Sequence, residues 1–136
     1  IETYKEKLSG KVYQRALFVS RENARTLKAA ELIQRGDIKG FGALMYQTHE
    51  GLSKNYEVSC PELDFLVDLS KDLPQVVGSR MMGGGFGGCT INLVEEGFVN
   101  EFMDLASKAY KQKFDINLTS ILVATSNGVE TLNSES

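Results

Sequence analysis

The sequence predicts one α+β domain in which helices pack on one face of a small, mainly antiparallel sheet. Three observations lead to this class. The first half of the chain has helical periodicity, the second half changes to the alternating pattern of strands, and a glycine-rich turn lies between two strand-like runs. A length of 136 residues suits a single domain, which we expect to cover residues 1–136. With 42 % hydrophobic and 24 % charged residues, overall disorder is excluded.

Composition also excludes several classes of partner. A net charge of −3 makes a nucleic-acid-binding surface unexpected, and the chain has no run of 18 apolar residues for a membrane span. One histidine and two cysteines are too few for a zinc site or a disulfide framework. Because no secretory signal pattern is present, we expect a cytoplasmic protein.

A long first helix is predicted over residues 11–34, which contain neither glycine nor proline. Its apolar positions follow one stripe of a helix with 3.6 residues per turn. These positions are Val12, Ala16, Val19, Leu27, Ala30 and Ile33. Gly36 is expected to end this helix and Asp37 to cap the start of the next one.

Two further helices are predicted before the strands begin. The second carries Ile38, Phe41, Met45, Thr48 and Leu52 on one side. Before the third, residues 59–62 read Ser-Cys-Pro-Glu, which predicts a capping box between Ser59 and Glu62 with proline in the first turn. The third helix is expected to bury Leu63, Leu66, Val67 and Leu69.

The second half predicts strands and one more helix. Residues 75–81 are short and partly β-branched, and residues 89–94 alternate like a half-buried strand. Phe98, Phe102, Leu105, Ala109 and Phe114 predict an amphipathic helix. Residues 120–125 are expected to form a strand, and Asn127-Gly128 predicts a hairpin with a short return strand over 129–132.

The segment 83–88 is not explained by the fold alone, because five of its six residues are glycine. Glycines are entropically costly to order, but they let backbone N–H groups approach an anion closely. The segment also matches G-x-G-x-x-G; a dinucleotide site would require a helix after it, whereas residues 89–94 alternate like a strand. A P-loop is excluded because no Gly-Lys-Ser/Thr follows. A purely structural connection between strands stays an alternative.

Two ordered stretches carry a resemblance to a known family. Residues 78–90, GSRMMGGGFGGCT, closely resemble the third signature motif of galactokinases, within the GHMP kinase superfamily. The segments FGALM, THEGL and YEVSCPELD, within residues 41–64, are similar to the galactokinase stretch that leads into its Pro-Glu-Leu-Asp helix. Two residues depart from the usual pattern: Met82 stands where these kinases have threonine, and Gly51 where many have serine.

The resemblance implies a GHMP kinase C-terminal domain with a ferredoxin-like α-β plait. It implies transfer of the γ-phosphate of ATP to the C1 hydroxyl of α-D-galactose, with magnesium. The catalytic, sugar-binding and metal-binding residues of the family belong to an N-terminal domain that these residues do not include. This chain is therefore expected to be inactive alone, with that domain, galactose and ATP as partners, and to self-associate through the face that the domain would cover.

The resemblance assigns the cleft-lining loop to six residues: Gly83, Gly84, Gly85, Gly87, Gly88 and Arg80. Arg80 suits phosphate, and equally a carboxylate on the sheet surface. Phe86 is expected to pack or wedge the loop. His49 is expected to be structural, since a predicted helix offers it no nucleophile within reach. Glu62 and Asp64 are not expected to form an acid/base pair.

Three functions stay open at this point. One is the galactokinase part just described. Another is a galactokinase-like regulator that binds galactose and ATP without turnover, or an N-acetylgalactosamine kinase domain. The third is a free-standing α+β adaptor with a structural glycine loop, against which the signature argues.

Overall fold

The computed structural model describes residues 2–126 and 128. Its main helices are α1 (Gly10–Gln34), α2 (Ile38–Gly51), α3 (Pro61–Lys71) and α4 (Val99–Phe114), and its strands are β1 (Val76–Met82) and β2 (Cys89–Val94). Short 3-10 helices span Glu2–Lys7 and Glu96–Phe98, and a π-helical turn spans Leu52–Tyr56.

The two strands form an antiparallel sheet on which the helices pack. The register runs from Gly78 opposite Leu93 to Met82 opposite Cys89, with an irregularity after Val76. Helices α2 and α3 both contact β1. This arrangement confirms the predicted α+β class. Strand β2 also begins directly after the glycine loop, so the exclusion of a dinucleotide-binding βα unit is confirmed.

The predicted junction between α1 and α2 is confirmed in detail. Gly36 has a φ of +70°, and its N–H donates to the carbonyl of Ile33 while that of Asp37 donates to Leu32. This pair of bonds is the Schellman ending, which favours glycine at the left-handed position. The Asp37 carboxylate then accepts from the Gly40 N–H at 2.8 Å and caps α2.

The apolar stripe predicted on α1 does not face the rest of the domain. Val12, Val19, Leu27 and Ile33 are exposed. Phe18 is the buried residue of this helix, and Glu22 on the same side accepts a hydrogen bond from Thr48 Oγ1 at 2.7 Å. Periodicity identifies an apolar stripe but does not show which side of the helix packs against the domain. Here a partly polar side of α1 contacts α2.

Helix α2 approaches β1 closely enough to touch its backbone. A Cβ on Gly42 would overlap the carbonyl of Val77, and a Cβ on Gly78 would meet the Gly42 Cα at 2.6 Å. The two glycines therefore face each other across the helix–strand contact. Glycine in mid-helix is unfavourable by about 1 kcal/mol relative to alanine, which this close contact offsets.

The main apolar cluster joins α3, α4 and the start of β1. Its buried members are Leu66, Val76, Phe98, Phe102 and Ala106. The buried face of α4 therefore includes Ala106, whereas Leu105, which the sequence placed on that face, is 39 % exposed. The predicted burial of Leu63, Leu66 and Val67 on α3 is confirmed.

The strand predicted over residues 120–125 is not formed. This segment has no regular secondary structure, and Ile121, Leu122 and Val123 are largely exposed. A β-branched run forms a strand only where another strand supplies hydrogen bonds, and no strand within 2–126 pairs with it. The predicted hairpin at Asn127-Gly128 and return strand 129–132 lie outside the described residues, apart from Gly128 itself. In the described part of the chain, no helix combines the length and apolar character needed to cross a membrane.

Candidate functional site

The glycine loop connects β1 to β2 in a conformation that only glycine adopts readily. Residues with positive φ in it are Gly83, Gly85, Phe86, Gly87 and Gly88. Gly83, Gly84 and Gly88 are exposed, and a Cβ on these three or on Gly87 would meet no atom within 4 Å. At these four glycines the loop therefore presents open backbone, the kind of surface from which N–H groups can bind an anion.

Gly85 attaches the loop to the segment between α2 and α3. A Cβ at this position would overlap the Val58 carbonyl oxygen, and φ is +83°. The same oxygen accepts a hydrogen bond from the Phe86 N–H at 2.8 Å. Outside the strand ladder and the turn at Gly83–Gly84, no further backbone hydrogen bond of the loop is found in the described chain. The backbone of the exposed Gly83, Gly84 and Gly88 is thus open to a ligand.

Phe86 does not pack against the domain as expected. Its ring is 78 % exposed and its φ is +58°, an uncommon value for a residue with a Cβ. Its N–H donates to the Val58 carbonyl, so the backbone of Phe86 is attached to the domain while its side chain is exposed. A wedging role for this ring is therefore wrong for the described chain.

Arg80 lies on β1 opposite Ile91, two residues before the end of the strand. Its guanidinium donates to the neighbouring Met81 carbonyl at 3.3 Å and forms no ion pair among the described residues. The carboxylate partner considered for it is therefore not found in this part of the structure. A charge-assisted interaction with phosphate stays a prediction.

His49 is buried behind the loop, which agrees with the structural role expected for it. Its Nδ1 accepts a hydrogen bond from the Met81 N–H at 3.1 Å, and its Nε2 lies 3.0 Å from Asp64 Oδ1. Because Nδ1 accepts, the proton of the neutral ring is on Nε2 and points to Asp64. The ring therefore links β1, at the entrance of the loop, to α3.

The carboxylate of Asp64 accepts hydrogen bonds from two further side chains. Ser59 Oγ donates to its Oδ1 at 2.6 Å, and Ser53 Oγ donates to its Oδ2 at 2.9 Å. The predicted capping box is consequently wrong: the N-cap of α3 is Cys60, which makes no side-chain cap bond. Ser59 donates to the Asp64 carboxylate instead. Proline in the first turn of α3 is confirmed.

Sequence reasoning did not find the His49–Asp64 link. The two residues are 15 positions apart, and no local motif signals a contact between two helices. A weaker signal was present, since His49 follows Thr48 on the apolar side of a predicted helix and a histidine buried there needs two partners.

Burial lowers the pKa of His49 below its ordinary value of 6.5, and this exceeds the opposing effect of Asp64. Lys71 lowers the pKa slightly and Asp68 raises it slightly. A histidine with a lowered folded pKa supports folding fully above pH 6.5 and loses this support as the pH falls toward the folded value.

We therefore expect the free energy of unfolding to fall as the pH drops below about 6.5, because the unfolded chain binds the proton more readily than the folded one. Urea denaturation at pH values on both sides of 6.5 measures it. The variant His49→Asn lacks the titrating ring and should show a flatter dependence. Equal slopes in the two proteins would contradict the assignment.

The site suits phosphate better than a metal ion. Among residues 2–126 and 128, no three histidine, cysteine or acidic side chains lie together as a metal site would require. Open backbone N–H groups with Arg80 nearby match the chemistry of a phosphate chain instead.

Comparisons with known proteins agree with the resemblance. The family model described as GHMP kinases C terminal matches residues 29–110. Galactokinases from Canis lupus familiaris and Thermotoga petrophila are 46 % identical over 110 residues and 40 % identical over 125 residues. These alignments cover 81 % and 92 % of this chain, but 28 % and 36 % of the relatives.

A solved structure supports the fold as well. The crystal structure of Lactococcus lactis galactokinase complexed with galactose superposes with a TM-score of 0.77 at 33 % identity. The alignment covers 80 % of this chain and 28 % of that one. The chain thus spans about a third of the length of the relatives it matches.

Proposed function

Because the chain belongs to the GHMP kinase family, whose C-terminal domain model matches more than half of it, we propose that it acts as the C-terminal part of a galactokinase. The reaction is transfer of the γ-phosphate of ATP to the C1 hydroxyl of α-D-galactose. The proposal takes residues 1–136 as one domain and places the protein in the cytoplasm, where ATP is available. The observation that carries it is the glycine loop, open on its exposed side and fixed to Val58 on the other.

The proposed role of the loop is to position and stabilise charge. Phosphoryl transfer asks a protein mainly to align the reactants and to neutralise the charge on the transferred group. The N–H groups of Gly83, Gly84, Gly85, Gly87 and Gly88 line one wall of the ATP and sugar cleft. Arg80 adds positive charge beside it. Magnesium supplies further neutralisation when bound, and its ligands are proposed to lie in the part of the relatives outside this chain.

A chimera tests the proposal directly. The chain replaces the corresponding segment of the Thermotoga petrophila galactokinase, to which it is 40 % identical over 125 residues. The chimera should form galactose 1-phosphate and ADP from galactose and ATP. Replacing Gly85 by valine should abolish this activity, because the side chain would displace the loop from Val58. Gly97→Ala is the matched control, since its Cβ would meet no atom within 4 Å.

The outcomes separate the remaining alternatives. A folded chimera that binds galactose and ATP without turnover would overturn the catalytic proposal in favour of a sensor. The exposed Met82, at the usual threonine position, is the feature that favours this alternative, and Met82→Thr should then restore turnover. Preference for N-acetylgalactosamine would change the proposed substrate. Absence of both binding and turnover would leave the adaptor.

The remaining part of such a kinase is the proposed protein partner. It is proposed to contact apolar side chains that are exposed in the described chain. Val12, Val19 and Leu27 on α1, and Ile121 and Leu122 after α4, are all exposed. We expect the isolated chain to self-associate through these side chains as its concentration rises. Light scattering over a concentration series measures this. Changing Val19 and Leu27 to glutamine should reduce it, and a strict monomer at high concentration would contradict it.

A further inference from the structure

Two hydrogen bonds hold the glycine loop, one before it from α2 and one within it from the segment between α2 and α3. At its entrance, the N–H of Met81 donates to His49 Nδ1. In its middle, the N–H of Phe86 donates to the Val58 carbonyl. Both acceptors belong to elements far away in sequence, so the position of the loop depends on how these acceptors are held.

The two acceptors are themselves connected through one carboxylate. His49 Nε2 and Ser59 Oγ both approach Asp64 Oδ1, at 3.0 and 2.6 Å. Ser59 is the residue after Val58, so its side-chain bond fixes the peptide segment whose carbonyl receives the loop. Hydrogen bonds thus link Met81 through His49 and Asp64 to Ser59, and the Val58 carbonyl, in the peptide unit that joins Val58 to Ser59, accepts from Phe86.

The hydrogen bond between the Met81 N–H and His49 Nδ1 is buried, so its loss would be costly in free energy. Met81 has no exposed surface, and its N–H points to His49 rather than to β2. A buried N–H without an acceptor is strongly disfavoured, and water has little access to replace the ring nitrogen. The His49 ring therefore supplies the acceptor that the buried Met81 N–H needs just before the loop begins.

We propose that His49, Asp64 and Ser59 are positioning residues that hold the glycine loop in the shape in which its N–H groups bind phosphate. They do this through Met81 and Val58, without touching the ligand themselves. The inference goes beyond the proposed function and rests on it only where kinase activity is the readout.

Two serines provide a matched test. Ser59 and Ser53 each donate one hydrogen bond to Asp64, but only Ser59 adjoins the segment that binds the loop. Amide hydrogen exchange of Phe86, measured by NMR on the chain itself, should accelerate about tenfold in Ser59→Ala, the factor expected for loss of one restraining bond. In Ser53→Ala it should change less than about twofold. The amide of the core residue Val67 serves as the reference for global opening.

A second pair of variants, at position 49, tests the hydrogen bond between Met81 and His49. Asparagine at position 49 keeps an acceptor near the Nδ1 position, whereas glutamine reaches the Nε2 position and removes that acceptor. Exchange of the Met81 amide should accelerate about tenfold in His49→Gln and little in His49→Asn. Ser59→Ala could accelerate amide exchange at Val67 as much as at Phe86, in which case it would report only global unfolding. The two variants at position 49 would then decide whether the loop is held by these residues.

Activity adds a readout that a purely structural role would not move. In the chimera, Ser59→Ala should raise the KM for ATP about tenfold with a smaller change in kcat, and Ser53→Ala should leave both within about twofold. The proposal is overturned if the two serine variants affect Phe86 exchange equally, or if His49→Gln leaves Met81 exchange unchanged. If exchange responds as expected but the unaltered chimera forms no product, the proposed function fails while the positioning role stands.

Discussion

Replacing Gly42 by alanine is expected to destabilise the domain by about 3 kcal/mol, at the upper end for overpacking a tight contact. The new Cβ would overlap the carbonyl oxygen of Val77, which is backbone and cannot turn away. Helix α2 would have to move off β1, and His49 on the same helix would move with it. Urea denaturation of the two proteins measures the loss.

Gly40 is the matched control in the same helix. A Cβ there would meet only the carboxylate of Asp37, the end of a flexible side chain. Gly40→Ala gains helix propensity and disturbs the cap, so its stability should stay within about 1 kcal/mol of the parent. Similar losses in the two variants would show that the close approach of α2 to β1 is not responsible.

Truncating Phe102 to alanine should cost about 3–5 kcal/mol, the range for a buried phenylalanine. Phe102 is 8 % exposed and belongs to the cluster between α3, α4 and β1. Its removal leaves a cavity that neighbouring helices fill only in part. Thermal and urea unfolding should both show the loss.

Leu105, three residues further along α4, provides the comparison. It is 39 % exposed, so Leu105→Ala should cost clearly less, about 1 kcal/mol. This pair distinguishes the observed face of α4 from the one that the sequence pattern indicated. A larger loss at Leu105 than at Phe102 would contradict the observed orientation.

Local signals in the sequence were sufficient for most elements. The ending of α1 at Gly36, the Asp37 cap and both strands depend on nearby residues, and all were predictable from spacing and residue type. The glycine loop was also recognisable, because so many glycines in one turn have no purely local explanation.

What escaped prediction depends on contacts between distant segments. The apolar stripe of α1 was correctly periodic, but the helix packs through a side that holds Phe18 and Glu22. Ser59 donates to the Asp64 carboxylate, which His49 also approaches, instead of accepting a hydrogen bond from the Glu62 N–H. Residues 120–125 needed a neighbouring strand that the described chain does not provide.

The separation between His49 and Met81 along the chain has a kinetic consequence. These residues are 32 positions apart, whereas the β1–β2 hairpin closes through contacts of neighbouring segments. Local contacts form early in folding and distant ones late, since each must overcome its own loop-closure entropy. The hairpin can therefore form while its turn is still unrestrained. We expect the loop to become ordered in a late step of folding, so that a partly folded chain would not yet present the surface proposed to bind phosphate.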